Sequence, residues 1–172
     1  MRLILQARPL TRTQFAPYGD VIETGGSEHF PINAGTIERY HDLARVEAGG
    51  GGRVLVSIVQ CSQVSTLPHR LNLIERHSLG SQAFIPMDLA PMVIVVAPPG
   101  DSINTDELEA FVSDGKQGIN YRPGVWHMPL IAFEKGQRFL VVDRGGPGKN
   151  CDVHNFENTK ILVECAEFMT LK

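Results

Sequence analysis

The sequence predicts an all-β protein, a closed double-sheet structure with small helices at its N-terminal edge. After the glycine run at 48–53, segments of strand length follow one another, and none keeps a helical period for more than about two turns. Turn residues separate these segments at intervals of about 8–12 residues, which is typical of sandwiches and barrels. With 172 residues, 42% of them hydrophobic, the chain is predicted to form a single domain, 1–172.

The region before the glycine run predicts the small helices. The first has Thr11 or Thr13 as its N-cap and ends at Pro17 and Gly19. The second lies in RYHDLARVE, residues 39–47. The predicted strands after the run are RVLVSIVQC (53–61), LNLIERH (71–77), SQAFIPM (81–87), MVIVVAP (92–98), LEAFVSDG (108–115), GINY (118–121), WHMPLIAF (126–133), QRFLVVD (137–143) and KILVECAEF (160–168).

Charge and cysteine content exclude several classes of protein. A formal net charge of −3 gives no broad attraction to nucleic acid or to anionic membranes, so a small-molecule partner is expected. The longest apolar run, 91–99, is too short to span a bilayer, and the N-terminus lacks the features of a signal peptide, so we expect a cytoplasmic protein. Cys61, Cys151 and Cys165 are scattered, which argues against a disulfide framework and a structural zinc site.

Two short segments bring chemically active side chains together. Residues two apart in a strand share a face, so Glu75 and His77 project the same way, and Gln82 begins the returning strand beside them. The turn at Pro123-Gly124 places His127 just inside the strand that follows it. We therefore expect His77, Gln82 and His127 to face a common cavity.

Two imidazoles, a carboxylate and an amide oxygen suit a divalent ion such as nickel, zinc or manganese. Each residue also has a purely structural interpretation. A lone histidine near a turn is often a satisfied hydrogen-bonding residue, and Glu75 can be an ion-pair partner of Arg76 or Arg70.

The same segments resemble the two motifs of the cupin family. In ERHSLGSQAFIPM, Glu75 and His77 stand for the two motif histidines and Gln82 for the motif glutamate. GKQGINYRPGVWHMPLI matches the second motif through Gly124 and His127, with Ile131 in place of its asparagine. This resemblance implies a cupin-like β-barrel, a double-sheet jelly roll.

A narrower resemblance covers nearly the whole chain. The sequence is similar to the ureidoglycolate lyase family, also called ureidoglycolate hydrolase, through FAPYGDVIE (15–23), INAGTIERYHDLA (32–44), ERHSLGSQAFIPM (75–87), AFVSDGKQGINYRPGVWHMPL (110–130) and FLVVDRGGPGKNCDVH (139–154). The resemblance implies a homodimer that cleaves ureidoglycolate to glyoxylate and urea in allantoin (purine) degradation. It also implies a divalent ion, nickel first.

With that reaction in view, His127 and Glu75 are the expected catalytic residues, and His77, Gln82 and His127 the expected metal ligands. Either Arg39 or Arg144 suits the substrate carboxylate, because a guanidinium matches a carboxylate in two hydrogen bonds, although each has nearby acidic residues with which to pair.

Tyr40 and Tyr121 are candidates for a hydroxyl contact with the substrate, or else for packing. His69 is the next candidate metal ligand, since it precedes the strand that carries His77. The expected dimer follows from sheet edges that need cover, which the segment up to Glu47 can supply from a second subunit.

Two other functions fit a cupin-like barrel, since a fold does not fix a function. One is a metal-dependent cupin oxygenase or isomerase. The other is a cupin-like module that binds a small molecule without catalysis, which the reduced set of motif ligands favours.

Overall fold

The computed structural model describes residues 2–166. Its strands are β1 (Arg2–Gln6), β2 (Arg8–Pro9), β3 (Gly19–Ile22), β4 (His29–Ile32), β5 (Ile37–Tyr40), β6 (Arg53–Gln60), β7 (His69–Leu71), β8 (Leu73–Arg76), β9 (Gln82–Pro86), β10 (Val93–Ala97), β11 (Glu109–Val112), β12 (Gly118–Tyr121), β13 (Trp126–His127), β14 (Arg138–Gly145), β15 (Asp152–Asn155) and β16 (Lys160–Glu164). One short helix, α1 (Arg12–Phe15), and two 3₁₀ turns, Asn33–Gly35 and Thr105–Glu107, complete the described elements.

Two large sheets form the body of the protein. One has six strands in the order β15-β8-β13-β10-β11-β2, and the other has five in the order β3-β12-β9-β14-β6. Side chains of both sheets meet in one buried cluster, where Ile94 and Phe111 of the first pack with Phe84 and Val141 of the second. The prediction of an all-β, cupin-like double sheet is confirmed.

A third sheet, β1-β16-β7, explains the apolar run of β10. Ile161 and Val163 of this sheet belong to a second buried cluster together with Val93 and Val95 of β10. Strand β10 is thus covered on both faces, and all five of its residues are buried. A strand covered on both sides reads as a continuous apolar run rather than an alternating one.

The N-terminal region holds more strand than the sequence predicts. Helix α1 is present, and the Thr11 hydroxyl accepts a hydrogen bond from the Gln14 amide, so the predicted cap is confirmed. The predicted helix at 39–47 is wrong. Its first residues belong to β5, which pairs with β4, and Asp42 has a φ of 52°, which a right-handed helix excludes.

After the glycine run, the predicted strands match β6, β8 to β12, β14 and β16. Of the predicted segment 126–133, only Trp126–His127 is a strand. Two strands are not predicted: β7, of which the predicted segments include only Leu71, and the polar strand β15. The end of KILVECAEF beyond residue 166 lies outside the described residues. Among residues 2–166, no helix has the length and hydropathy needed to cross a bilayer.

Strands β4 and β5 form a hairpin, residues 29–40, that stands apart from the two large sheets. They pair only with each other, in a two-stranded sheet of their own, and the 3₁₀ turn Asn33–Gly35 joins them. Phe30, Ile37 and Tyr40 of the hairpin are exposed. Within one chain, the hairpin leaves apolar surface in water.

Candidate active site

Strand β8 presents Glu75 toward the interior. His77 comes two residues after Glu75, directly beyond the end of the strand. Arg76 points the other way, where it pairs with Asp152 and lies over the Trp126 ring. The alternation of a strand therefore separates a surface ion pair from two side chains that face the space between the sheets.

The turn before β13 delivers His127 to the same place. The Val125 amide donates to the Arg122 carbonyl, Pro123 is the second turn residue, and Gly124 has a φ of 82°, as a type II turn requires. The Gly124 amide also donates to the His77 carbonyl over 2.8 Å. In the resulting register, His127 pairs directly with Glu75 of β8.

Glu75, His77 and His127 form one cluster. The Glu75 Oε1 atom lies 3.7 Å from His127 Nε2 and 4.0 Å from His77 Nε2, and one ligand atom from each residue lies within 4.8 Å of the others. The two imidazole rings have their centroids 5.3 Å apart. The His127 side chain is buried, while those of His77 and Glu75 are partly exposed.

Hydrogen bonds to backbone carbonyls orient both imidazoles. His77 Nδ1 lies 2.9 Å from the Asn150 carbonyl, and His127 Nδ1 lies 3.0 Å from the Val125 carbonyl. Because a carbonyl only accepts, each Nδ1 carries the proton and donates it, which leaves the lone pair on Nε2. Both Nε2 atoms are buried and without a hydrogen-bond partner among the described residues.

The environment of His127 keeps its ring neutral. Burial lowers the pKa of His127 to about 3, and the neighbouring His77 acts in the same direction, against the opposing effect of the Val125 carbonyl. Tyr121 stacks on the ring with a centroid separation of 4.1 Å, and burial raises the pKa of the Tyr121 phenol far above its ordinary value, with Glu75 adding to the effect. At neutral pH, His127 is thus a lone-pair donor and Tyr121 a protonated phenol.

This cluster fits a divalent metal ion. Two unpartnered imidazole nitrogens with their Nδ1 protons held by carbonyls are the usual arrangement of histidine ligands. Ligands at about 2.1 Å from one ion lie at most about 4.2 Å apart, a limit that the two distances from Glu75 meet. Buried Gln82 Oε1 also lacks a hydrogen-bond partner in residues 2–166, and Gln82 lines the same cavity as Glu75.

A cavity of about 550 Å³ lies beside the cluster. Its wall includes Glu75, Gln82, Ser57 of β6 and Asp143 of β14, together with the apolar side chains of Val59, Phe84, Leu130, Ile131, Ala132, Phe139 and Val141. Of the described residues that line it, none is a lysine or an arginine. The cavity wall thus combines two carboxylates with neutral polar and apolar side chains.

Arg144 is predicted to bind the substrate carboxylate, but in the structure it donates to backbone carbonyls. Its Nε donates to the Gly49 carbonyl, and its Nη2 donates to the carbonyls of Gly50 and Pro147. These bonds use three of its five donors. A Cβ at Gly80 would lie 2.6 Å from Arg144 Cβ, so the side chain also packs tightly against that turn.

The other predicted residues lie outside the cluster. Arg39 and Tyr40 are on the exposed hairpin, and the Tyr40 ring lies against His29. His69 is on β7 in the three-stranded sheet, where burial lowers its pKa. In one chain, the structure thus brings together Glu75, His77, Gln82, Tyr121 and His127, but not the predicted substrate arginines.

Two residues near the site were not predicted from the sequence. The Asn150 carbonyl holds His77, and the Asn150 side chain accepts from the Leu79 amide over 2.8 Å. Cys151 Sγ lies 4.0 Å from Glu75 Oε2. Both residues precede β15, the strand that the sequence did not reveal, so no pattern placed them beside β8.

Comparison with known proteins identifies the family. The Ureidoglycolate lyase family model matches residues 2–164. The chain is 49% identical over 163 residues to a ureidoglycolate lyase of Burkholderia mallei (strain NCTC 10229), which covers 94% of this chain and 95% of that protein. It is 50% identical over 160 residues to a ureidoglycolate lyase of Pseudomonas fluorescens (strain SBW25), covering 92% and 95%.

Among solved structures, a dTDP sugar isomerase from Desulfovibrio desulfuricans G20 aligns with a TM-score of 0.46 and 16% identity, covering 83% of this chain and 88% of that one. So weak a likeness says nothing about function. The family match spans both sheets and every residue of the site, and the chain belongs to the ureidoglycolate lyase family.

Proposed function

We propose that the protein is a ureidoglycolate lyase that cleaves ureidoglycolate to glyoxylate and urea, a step of allantoin degradation. Family membership over residues 2–164 supports this function over an oxygenase, an isomerase or a binding module. The single structural observation that supports it best is the cluster of Glu75, His77 and His127, whose Glu75 lines a cavity large enough for a small polar substrate.

The reaction needs one proton to be moved. Ureidoglycolate carries a hydroxyl and a ureido nitrogen on the same carbon, so loss of the hydroxyl proton and cleavage of the carbon–nitrogen bond yield the aldehyde of glyoxylate. The departing nitrogen takes up one proton, so the reaction needs no net acid or base. Glu75 is the group for this task, because its carboxylate faces the cavity and can accept the hydroxyl proton and return it to urea.

The neighbours of Glu75 support a division of roles. His127 donates its Nδ1 proton to the Val125 carbonyl, and burial lowers its pKa so that Nε2 stays unprotonated. It therefore serves as a ligand rather than as an acid. Tyr121 retains its phenol proton, because burial and the nearby charge of Glu75 both raise its pKa. It is therefore the candidate hydrogen-bond donor to the substrate. Each role follows from which nitrogen or oxygen holds a proton at neutral pH.

His77, His127 and Gln82 would hold the divalent ion, with Glu75 within reach of the same position, and nickel is our first candidate. When bound, such an ion lowers the pKa of a coordinated hydroxyl and neutralises developing negative charge. The chain itself supplies the orientation of the two imidazoles through the carbonyls of Asn150 and Val125.

The substrate carboxylate needs a cation. We propose Arg39 for this contact, with Tyr40 beside it on the hairpin, and we leave Arg144 out because the glycine-loop carbonyls hold it. Arg144 instead fixes the loop at 48–52 that precedes β6, the strand that forms one wall of the cavity.

We further propose a cytoplasmic homodimer. The outward side chains of β6 form an exposed apolar stripe, in which Val56 is 69% and Ile58 60% exposed. Stripes of this kind on a sheet edge usually mark an interface. The three free cysteines, Cys61, Cys151 and Cys165, suit a reducing compartment.

Product analysis tests the function directly. The purified protein, loaded with nickel, should release urea and glyoxylate in equal amounts from ureidoglycolate. Release of ammonia instead of urea, or no consumption of ureidoglycolate, would rule the proposed reaction out. Light scattering at micromolar concentration should give twice the mass of the chain, and a monomer mass would contradict the dimer.

A further inference from the structure

The cavity of a single chain lacks a group that its proposed substrate requires. Ureidoglycolate is an anion, yet the cavity wall includes two acidic residues, Glu75 and Asp143. No arginine or lysine lines it among residues 2–166. A substrate carboxylate beside two acidic side chains needs positive charge, and apart from the divalent ion proposed for the cluster, no basic side chain that lines the cavity in the described part of the chain supplies it.

The hairpin, residues 29–40, carries an exposed cation on an apolar face. In the pairing of β4 with β5, Arg39 lies opposite Phe30, and Ile37 lies two residues before Arg39 on the same face. Phe30 and Ile37 are exposed, and no ion pair of Arg39 is found in the described part of the chain. This face presents apolar surface with a guanidinium at one end.

The cavity-forming sheet has a second apolar face. Ser57 and Val59 of β6 line the cavity, so the alternating Val54, Val56 and Ile58 point away from it, on the outside of the sheet. These three side chains are exposed within one chain. The sheet thus has the substrate cavity on one side and an uncovered apolar stripe on the other.

The order of strands sets how a second copy meets these surfaces. The hairpin follows β3, which is one edge of the five-stranded sheet, and β6 is the other edge, about 19 Å away across four strand spacings. When two such sheets pack outer face to outer face around a two-fold axis parallel to their strands, the β3 edge of each chain lies over the β6 edge of the other. Because β6 is an edge strand, each hairpin then reaches the free edge of the partner's sheet, beside the cavity that β6 walls.

We propose that Arg39 acts in trans: in a dimer of this chain, the hairpin of one subunit docks on β6 of the other and Arg39 binds the substrate carboxylate in that subunit's cavity. The proposal rests on the proposed function and goes beyond it, because it makes each active site incomplete without the second subunit. It also explains why the hairpin leaves Phe30, Ile37 and Arg39 exposed in one chain.

Mixed dimers test the proposal. Arg39→Gln, which keeps most of the side-chain stem, and His127→Ala are co-expressed with different tags, and the heterodimer is isolated. If Arg39 acts in trans, one of the two sites keeps both residues, and the heterodimer has half of the wild-type turnover at low ureidoglycolate concentration. If Arg39 acts within its own chain, both sites are defective, the heterodimer shows no recovery over the two variant homodimers, and the proposal is overturned.

The homodimeric variants supply the remaining readouts. Arg39→Gln should raise KM at least about tenfold with a smaller change in kcat, and Arg39→Lys should fall between it and the wild type. Arg70→Ala, on the exposed surface of β7, is the matched control and should keep the wild-type KM. A wild-type KM for Arg39→Gln would overturn the proposal, while urea release by the wild-type protein would leave the proposed function intact.

Discussion

Two regions of the molecule differ in how far their own chain completes them. One is the cluster that lies between the sheets, and the other is the hairpin at 29–40. Glu75, His77 and His127 are fixed by strand pairing and by carbonyls of their own chain. The hairpin strands pair only with each other, and their apolar and cationic side chains face water. One region is complete within a subunit and the other is not, so the first should control chemistry and the second should control assembly and substrate affinity.

Removing His127 should have the largest effect on the first region. His127→Ala should reduce urea release by at least about 10²–10⁴, because the cluster loses a buried ligand. The matched control is His154→Ala on β15, whose ring packs on Trp126 and Phe156 outside the cluster. Wild-type turnover by a folded His127→Ala variant, checked by circular dichroism, would show that the imidazole only packs.

Charge on the outer face of β6 should break the second region without touching the first. Val56→Asp places a carboxylate in the apolar stripe, so we expect a monomer in light scattering and a KM raised at least about tenfold. Leu89→Asp, at an exposed apolar residue outside β6, should remain dimeric. A dimeric Val56→Asp variant would place the interface elsewhere.

Asn150 offers a finer test of how the cluster is held. Asn150→Ala removes the bond to the Leu79 amide that fixes the loop beside His77, and loss of such an outer contact usually costs about 10–100-fold in metal affinity. Nickel affinity, measured by calorimetric titration, should therefore fall by that factor while the dimer persists. An unchanged affinity would mean that the His77 ring is fixed without this loop.

The pKa of His127 predicts the smallest effect, on stability rather than on activity. Its folded pKa of about 3 lies below the ordinary value of 6.5, so below pH 6.5 the unfolded chain binds a proton that the folded chain does not. In metal-free protein, this residue should therefore lower the free energy of unfolding by about 1.4 kcal/mol for each unit by which the pH falls from 6 to 4. Urea denaturation of His127→Gln should show a shallower decline, and equal slopes would contradict the assignment.

Features set by local sequence patterns could be predicted, and those set by contacts distant in the chain could not. Strand alternation is local, so it placed Glu75 and His77 on one face, and the turn at Pro123-Gly124 placed His127. The role of Arg144 depends on carbonyls of a loop some 95 residues away in the chain, which no local pattern encodes. The segment 39–47 has helix-forming residues, but its first two residues pair with β4 and Asp42 has a positive φ, so no helix forms there.

Metal binding tests the central claim most directly, that Glu75, His77 and His127 form a single metal-dependent active site. Protein stripped with a chelator is titrated with nickel by calorimetry, and urea release is followed over the same additions. We expect one ion per chain, recovery of activity in step with occupancy, and loss of both in His77→Ala. Full activity in the stripped protein, or nickel binding that His77→Ala leaves unchanged, would contradict the claim.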